Sequence, residues 1–126
     1  METAIMDKWQ ALHSFWSGFT WTAYDETSVP DDAQMPYITY SASVASFENT
    51  VLLTADLWNY STNWRDISNK ADEIGNITKD YVLVPINTKE YLFLTKGSPF
   101  AQRIADENDH VRRIRINLMG EFFTYS

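Results

Sequence analysis

Two histidines, a pair of adjacent aspartates, a Gly-Ser-Pro turn and a run of arginines are the residues of this chain with chemistry to weigh. His13 follows Leu12 in a stretch of helical periodicity, and His110 follows Asp109 in a charged stretch. No spacing joins either one to the other, or to a carboxylate, in a hydrolase or metal-ligand pattern. Both read as surface or packing histidines, so no catalytic residue and no metal ligand is expected. Asp31-Asp32 lies between Pro30 and Pro36 without the further oxygen ligands of a calcium loop, and reads as a solvated acidic turn. Gly97-Ser98-Pro99 lacks the Gly-Lys-Ser/Thr ending of a phosphate loop, and Pro99 removes an amide donor, so no cofactor is expected. Arg112-Arg113-Ile114-Arg115 suits bidentate pairing with carboxylates of a neighbouring copy or of another assembly component. Pairing within the chain to Asp106, Glu107 and Asp109 accounts for the same arginines, as does a place along a pore that passes DNA. Trp58, Tyr60 and Trp64 read as packing at a strand-to-helix junction, with no convergent polar groups beside them to suggest a ligand pocket.

The composition bounds what those residues serve. A chain of 126 residues is long enough for one core and reads as a single domain over residues 1–126. It has no cysteine, which excludes disulfides and thiolate metal sites and fits assembly in a reducing cytoplasm. No apolar run is long enough to span a membrane, and Met1-Glu2-Thr3-Ala4-Ile5-Met6-Asp7 lacks the basic start of a signal peptide. A net charge of −7 disfavours nucleic acid as a direct partner. Residues 1–63 carry only Lys8 against eight acidic residues, whereas residues 64–126 balance nine against nine. Complementary faces meeting copy to copy and a plain solvated acidic surface both fit that asymmetry. Five Trp, seven Tyr and seven Phe exceed what one small core needs, and such an excess is frequent at oligomer interfaces.

The positioning elements follow from periodicity. Ile5, Trp9, Leu12 and Phe15 or Trp16 predict a helix over residues 3–16, with Gly18 as its stop. Phe19, Trp21 and Ala23 predict a short strand ending near Tyr24. Ile38, Tyr40, Ala42 and Val44 alternate with Thr39, Ser41 and Ser43 in a strand over 37–46, and a turn follows at 47–50. Residues 51–60 form a long strand with Leu53, Ala55 and Leu57 toward the core. Trp64, Ile67, Ala71 and Ile74 predict a second helix, capped by Ser61 or Thr62 and ending near Thr78. Strands are expected at 81–86, where Pro85 marks an edge or bulge, and at 91–95. Residues 99–110 read as a loop with a turn of helix near 101–105, and the last strand runs from 113 to 125. The expected fold is α+β, in the order α-β-β-β-α-β-β-β, with an antiparallel or mixed sheet and both helices on one face.

Two segments carry a family resemblance within this order. Val29-Pro30-Asp31-Asp32-Ala33-Gln34-Met35-Pro36-Tyr37-Ile38-Thr39-Tyr40 is a proline-bracketed acidic connector that empties into a strand. Lys96-Gly97-Ser98-Pro99-Phe100-Ala101-Gln102-Arg103 reads as a second stiff loop. With the element order, they resemble the tail terminator, or tail-to-head joining, family of long-tailed bacteriophages, also labelled minor tail or minor capsid proteins. The resemblance implies a structural virion protein that forms a ring, usually a hexamer, and works without a chemical step or a cofactor. Such a ring caps the tail tube, ends tube polymerisation and docks the head. Its partners would be copies of itself, the tail tube protein and the head connector or neck proteins, with DNA only as cargo and no membrane. It would be assembled in the host cytoplasm. Loop position and chemistry suggest Asp31, Asp32 and Tyr37, with Ser98, Phe100 and Arg103, as contacts, and Arg112, Arg113 and Arg115 as subunit or lumen residues. Two alternatives stand beside it: another neck component, such as a head-closure or connector-adaptor protein, and a small ligand-binding or enzymatic α+β domain.

Overall fold

The computed structural model describes residues 7–41 and 50–124, with the backbone only at Val51. In chain order the elements are α1 (Lys8–Ser17), β1 (Thr22–Asp25), β2 (Tyr37–Tyr40), β3 (Val51–Tyr60), α2 (Arg65–Ile77), β4 (Val82–Pro85), β5 (Glu90–Ile104) and β6 (Val111–Thr124). The helix start at residues 3–6, the strand and turn at 42–49, and Tyr125 lie outside the described residues. The strands form one sheet in the order β1-β2-β3-β6-β5-β4. Only β1 and β2 pair in parallel; every other neighbour is antiparallel.

The α+β expectation is corrected. Strand accounts for 46% of the described residues and helix for 21%, so the protein is mostly β, a six-stranded mixed half-barrel with two helices. Most of the difference lies in β5, the longest strand, expected at 91–95 and observed over Glu90–Ile104. The stretch read as a stiff loop at 96–103 is strand, as is the start of the presumed 99–110 loop. The ladder to β6 pauses between Lys96 and Ala101, where a bulge faces Asn117, and resumes to Ile104. Pro99 is tolerated because it sits in that bulge, where no ladder amide is required. Its carbonyl accepts from Asn117 Nδ2 at 3.0 Å. Gly97 is required by close approach, since a Cβ there would lie 2.8 Å from the Asn117 carbonyl oxygen. No turn of helix forms at 101–105.

One core occupies the inner face. Ile38 from β2, Leu53, Ala55 and Leu57 from β3, Leu92 and Leu94 from β5, and Ile114, Ile116 and Leu118 from β6 all point there. Alternation puts these residues on one side of the pleat. Leu12 and Trp16 of α1, Phe19 after it, and Ile67, Ala71 and Ile74 of α2 cover them. Gly120 leaves room for this packing, because a Cβ there would lie 2.9 Å from Leu53 Cδ1.

Local chemistry sets the helix ends. Asp7 accepts the Gln10 amide at 2.7 Å, and the Gln10 side chain accepts the Asp7 amide at 2.9 Å, a reciprocal capping box. The Gly18 amide bonds to the Phe15 carbonyl at the other end. Neither Ser61 nor Thr62 caps α2, a correction to the sequence expectation. Ser61 Oγ accepts from the Asn63 amide, and Asn63 Oδ1 accepts from the Arg65 amide, so the chain turns through two short side-chain bridges into a helix that begins later. Thr78 closes α2 by donating its hydroxyl to the Ile74 carbonyl at 2.7 Å.

A candidate interaction surface on the outer face of the sheet

Both helices pack on the inner face, so the outer face of the sheet carries the side chains to be weighed for function. Register defines its rows. Tyr37, Trp58, Arg113 and Ile104 form one row across four strands, and Thr39, Asp56, Arg115 and Gln102 form the next. Toward the far end come Leu52 with Met119, then Glu121 with Phe93 and Leu83, then Phe123 with Tyr91 and Pro85.

The first two rows make a closed electrostatic unit. Asp56 is buried and receives Arg113 Nη2 at 2.8 Å and Arg115 Nε at 3.1 Å. Burying that carboxylate is tolerable because two guanidiniums pair with it. Arg113 also lies over the Trp58 ring, 4.6 Å from its centroid. The Trp58 indole donates to Thr39 Oγ1 at 2.9 Å, and Tyr37 packs between Trp58 and Tyr24.

The opposite end is aromatic. Tyr81 stacks on Phe93 at 5.4 Å, Tyr91 stacks on Phe123 at 5.4 Å, and Phe93 meets Phe123 edge-on at 6.2 Å. Tyr81 is 55% exposed, Leu52 58%, Leu83 48% and Phe123 39%, so apolar side chains are exposed on both sides of Glu121 toward the β4 edge. An exposed patch of stacked aromatics with adjacent aliphatics marks an interaction site more often than a solvated face.

The expected contact residues divide into two sets. Asp31, Asp32 and Ser98 are exposed, as is Arg103, whose guanidinium also lies over the Trp64 ring. The others are engaged within the fold. Tyr37 is half-buried in its aromatic row, and Phe100 turns out of the bulge onto α2, where a Cβ on Gly75 would lie 3.2 Å from its ring. Arg112 donates to the carbonyls of Asp109 at 2.8 Å and Thr62 at 2.9 Å, and stacks with Arg103 against Trp64. Arg113 and Arg115 hold Asp56. Sequence reasoning missed Asp56, whose partners lie 57 and 59 residues away, because only the register of β3 against β6 brings them together. It also missed the aromatic end, although Tyr91, Phe93 and Phe123 share one parity of strand alternation.

Near the β1 edge, the amide and hydroxyl of Thr27 donate to Asp25 at 2.9 and 2.8 Å and lower its pKa from the ordinary aspartate value. His13 is a packing histidine in part, with Nδ1 at 2.8 Å from the Tyr40 hydroxyl. Burial, reinforced by the charge of Asp25, raises the Tyr40 pKa. His110 stacks on Tyr60 at 5.5 Å. Neither a protein-family model, nor a curated protein, nor a solved structure matches the chain.

Proposed function

We propose that this chain is a structural assembly subunit that joins copies of itself through the outer face of its sheet, which no helix among the described residues covers, as a tail terminator joins its copies into a ring. The observation that carries the reading is the exposed aromatic surface of Tyr81, Leu83, Phe93, Phe123 and Leu52. Water-facing sheet faces are normally polar, and a stacked aromatic group on one is better accounted for by a partner that covers it. Strand order adds a second support. The aromatics lie toward the β4 edge, while the acidic connector with Asp31 and Asp32 joins β1 to β2 at the opposite edge. Unlike surfaces at opposite edges are what a head-to-tail contact needs, and a head-to-tail contact closes into a ring when the rotation allows.

In this reading Asp31, Asp32, Ser98 and Arg103 supplement the aromatic contact. Arg112, Arg113 and Arg115 hold the subunit in shape and are not free receptors for a neighbour's carboxylates. The ring would end the tail tube on one face and receive the head on the other. The test is light scattering on the protein mixed with the tube protein of the same phage. Rings that form on tube ends and stop their growth are expected. Tubes that elongate unchanged, with the protein left in solution, would contradict the terminator role.

A further inference from the structure

The sheet has open edges that lie at the same level on its opposite sides. Across its rows, Thr22 of β1 aligns through Tyr37, Trp58 and Arg113 with Ile104 of β5, and Asp25 aligns through Tyr40, Ala55 and Ile116 with Ala101. β1 ends the strand order on one side. On the other, β4 accompanies β5 only from Tyr91 to Leu94, so among the described residues no strand lies beside 101–104 on the side away from β6. We propose that these edges pair between copies, with β1 of one chain adding to residues 101–104 of a second as an antiparallel strand. The inference rests on the self-assembly reading above and gives it an ordered backbone contact.

Backbone parity favours that pairing. The Ser61 amide bonds to the His110 carbonyl at the end of the β3–β6 ladder. Alternation from there makes Leu57–Ile114 and Ala55–Ile116 hydrogen-bonded pairs, so the backbone groups of Arg113 and Arg115 turn to β5 and meet Ile104 and Gln102. Those of Ala101 and Arg103 then face the open side. At the other edge the Glu26 amide bonds to the Tyr40 carbonyl, which turns the backbone groups of Ala23 and Asp25 away from β2. Continuing the rows from one copy to the next sets Ala23 opposite Arg103 and Asp25 opposite Ala101. The Ala23 amide then donates to the Arg103 carbonyl, the Arg103 amide to the Ala23 carbonyl, and the Asp25 amide to the Ala101 carbonyl. The Asp25 carbonyl already accepts from the Ser28 amide at 2.9 Å.

Direction, faces and charge agree with this register. β1 runs with β2 and against β3, whereas β5 runs with β3, so the added strand is antiparallel. Ala23 and Arg103 both belong to the row of Leu57 and Ile114 on the inner side, and Tyr24 and Gln102 both belong to the row of Asp56 on the outer side. A slip by one residue would reverse every side chain and misalign the donors. On the inner side a groove of about 190 Å³ lies between Ser68, Ala71 and Asp72 of α2 and Ala101, Gln102 and Arg103 of β5, which leaves room for an entering strand. Asp25 would sit diagonally from Arg103 on the same face, an opposite-charge neighbour. The acidic residues Glu26, Asp31 and Asp32 follow it in the connector. A second copy therefore supplies a strand of matching length, direction and charge.

The chain has no cysteine, so engineered cysteines report the contact without background. Tyr24 and Gln102 form a non-hydrogen-bonded pair in the proposed register, where Cα atoms approach to about 4.5 Å, within disulfide reach. Tyr24→Cys and Gln102→Cys chains, one of them carrying a mass tag, are mixed in equal amounts, oxidised mildly and separated without reductant. The cross-linked heterodimer should exceed either homodimer roughly tenfold or more, because pairing holds the unlike thiols at high effective concentration. Thr22→Cys with Ile104→Cys should behave alike and leaves the Tyr24–Tyr37 ring contact intact. Tyr24→Cys with Leu83→Cys, on the outer face of β4, should show no such excess. Heterodimers no more abundant than homodimers in both edge pairs would overturn the proposal, as would an equal excess in the Leu83→Cys control. Light scattering on the parent then separates the two readings. A multimeric parent without the edge cross-link leaves the outer-face reading standing, and a parent that stays monomeric removes both.

Discussion

The two faces of one sheet differ in kind, although the same strands build both. The inner face of β3 and β6 is aliphatic, with Leu53, Ala55, Leu57, Ile114, Ile116 and Leu118 sealed beneath the helices. The outer face of the same strands carries Asp56, Trp58, Arg113, Arg115 and Phe123. Aliphatic burial is non-directional and supplies stability. Ion pairs and stacked rings are directional and fix geometry more than they add net stability. The lesson is a division of labour: one face holds the subunit together, and the other is the one proposed to join its copies.

Substitutions test that division, and the inner face should respond most. Ile116→Ala opens a cavity at a fully buried position and should cost about 2–5 kcal/mol in urea unfolding. A loss below about 1 kcal/mol would mean that the inner face is not the chief source of stability. Asp56→Ala leaves two guanidiniums facing an emptied site and should cost about 1–3 kcal/mol, less than a fully buried pair because both arginines reach water. Asp56→Ala combined with Arg113→Met and Arg115→Met should recover most of that loss, which would show that the unpaired charge carries the cost.

Gly97→Ala drives a methyl group toward the Asn117 carbonyl and should cost about 1–3 kcal/mol, with hydrogen exchange rising first in the amides of β5 beyond the bulge. Uniform exchange across the sheet would refute the bulge as a local constraint. The smallest effect is one of pH. The Tyr40 pKa is raised above its ordinary 10.0, so the fold favours the neutral phenol. That contribution is fully present below the unfolded value and is lost as pH rises through the folded one. Tyr40→Phe should therefore flatten the decline of stability above pH ~10. A decline of unchanged steepness would assign the alkaline loss to another group.

The sequence revealed the local parts of this architecture more readily than the distant ones. The long strand over residues 51–60 was legible because its alternation runs unbroken, and it has those bounds in the structure. The apolar stripe of Ile67, Ala71 and Ile74 was legible for the same reason, at helical spacing. The strand character of 96–104 was hidden by Gly97 and Pro99, which signal a loop unless the partner strand is known to accept a bulge there. Its loss from the reading made the chain look α+β. The Asp56 pairs depend on register between segments far apart in sequence, and no local pattern encodes them. The excess of aromatics did indicate that some would lie outside the core. It did not show which, because Trp16 and Phe19 went inside while Tyr81 and Phe123 stayed out.

The most direct measurement is the solution mass of the parent protein and of the double variant Tyr81→Ser/Phe123→Ser, by light scattering over a range of concentrations. The variant should stay folded with one cooperative urea transition, its midpoint lowered by the lost Tyr81–Phe93 and Tyr91–Phe123 stacks and by the lost assembly. The account predicts a multimer for the parent and a monomer for the variant. Equal masses, whether both monomeric or both assembled, would contradict the claim that the outer aromatic face joins the copies.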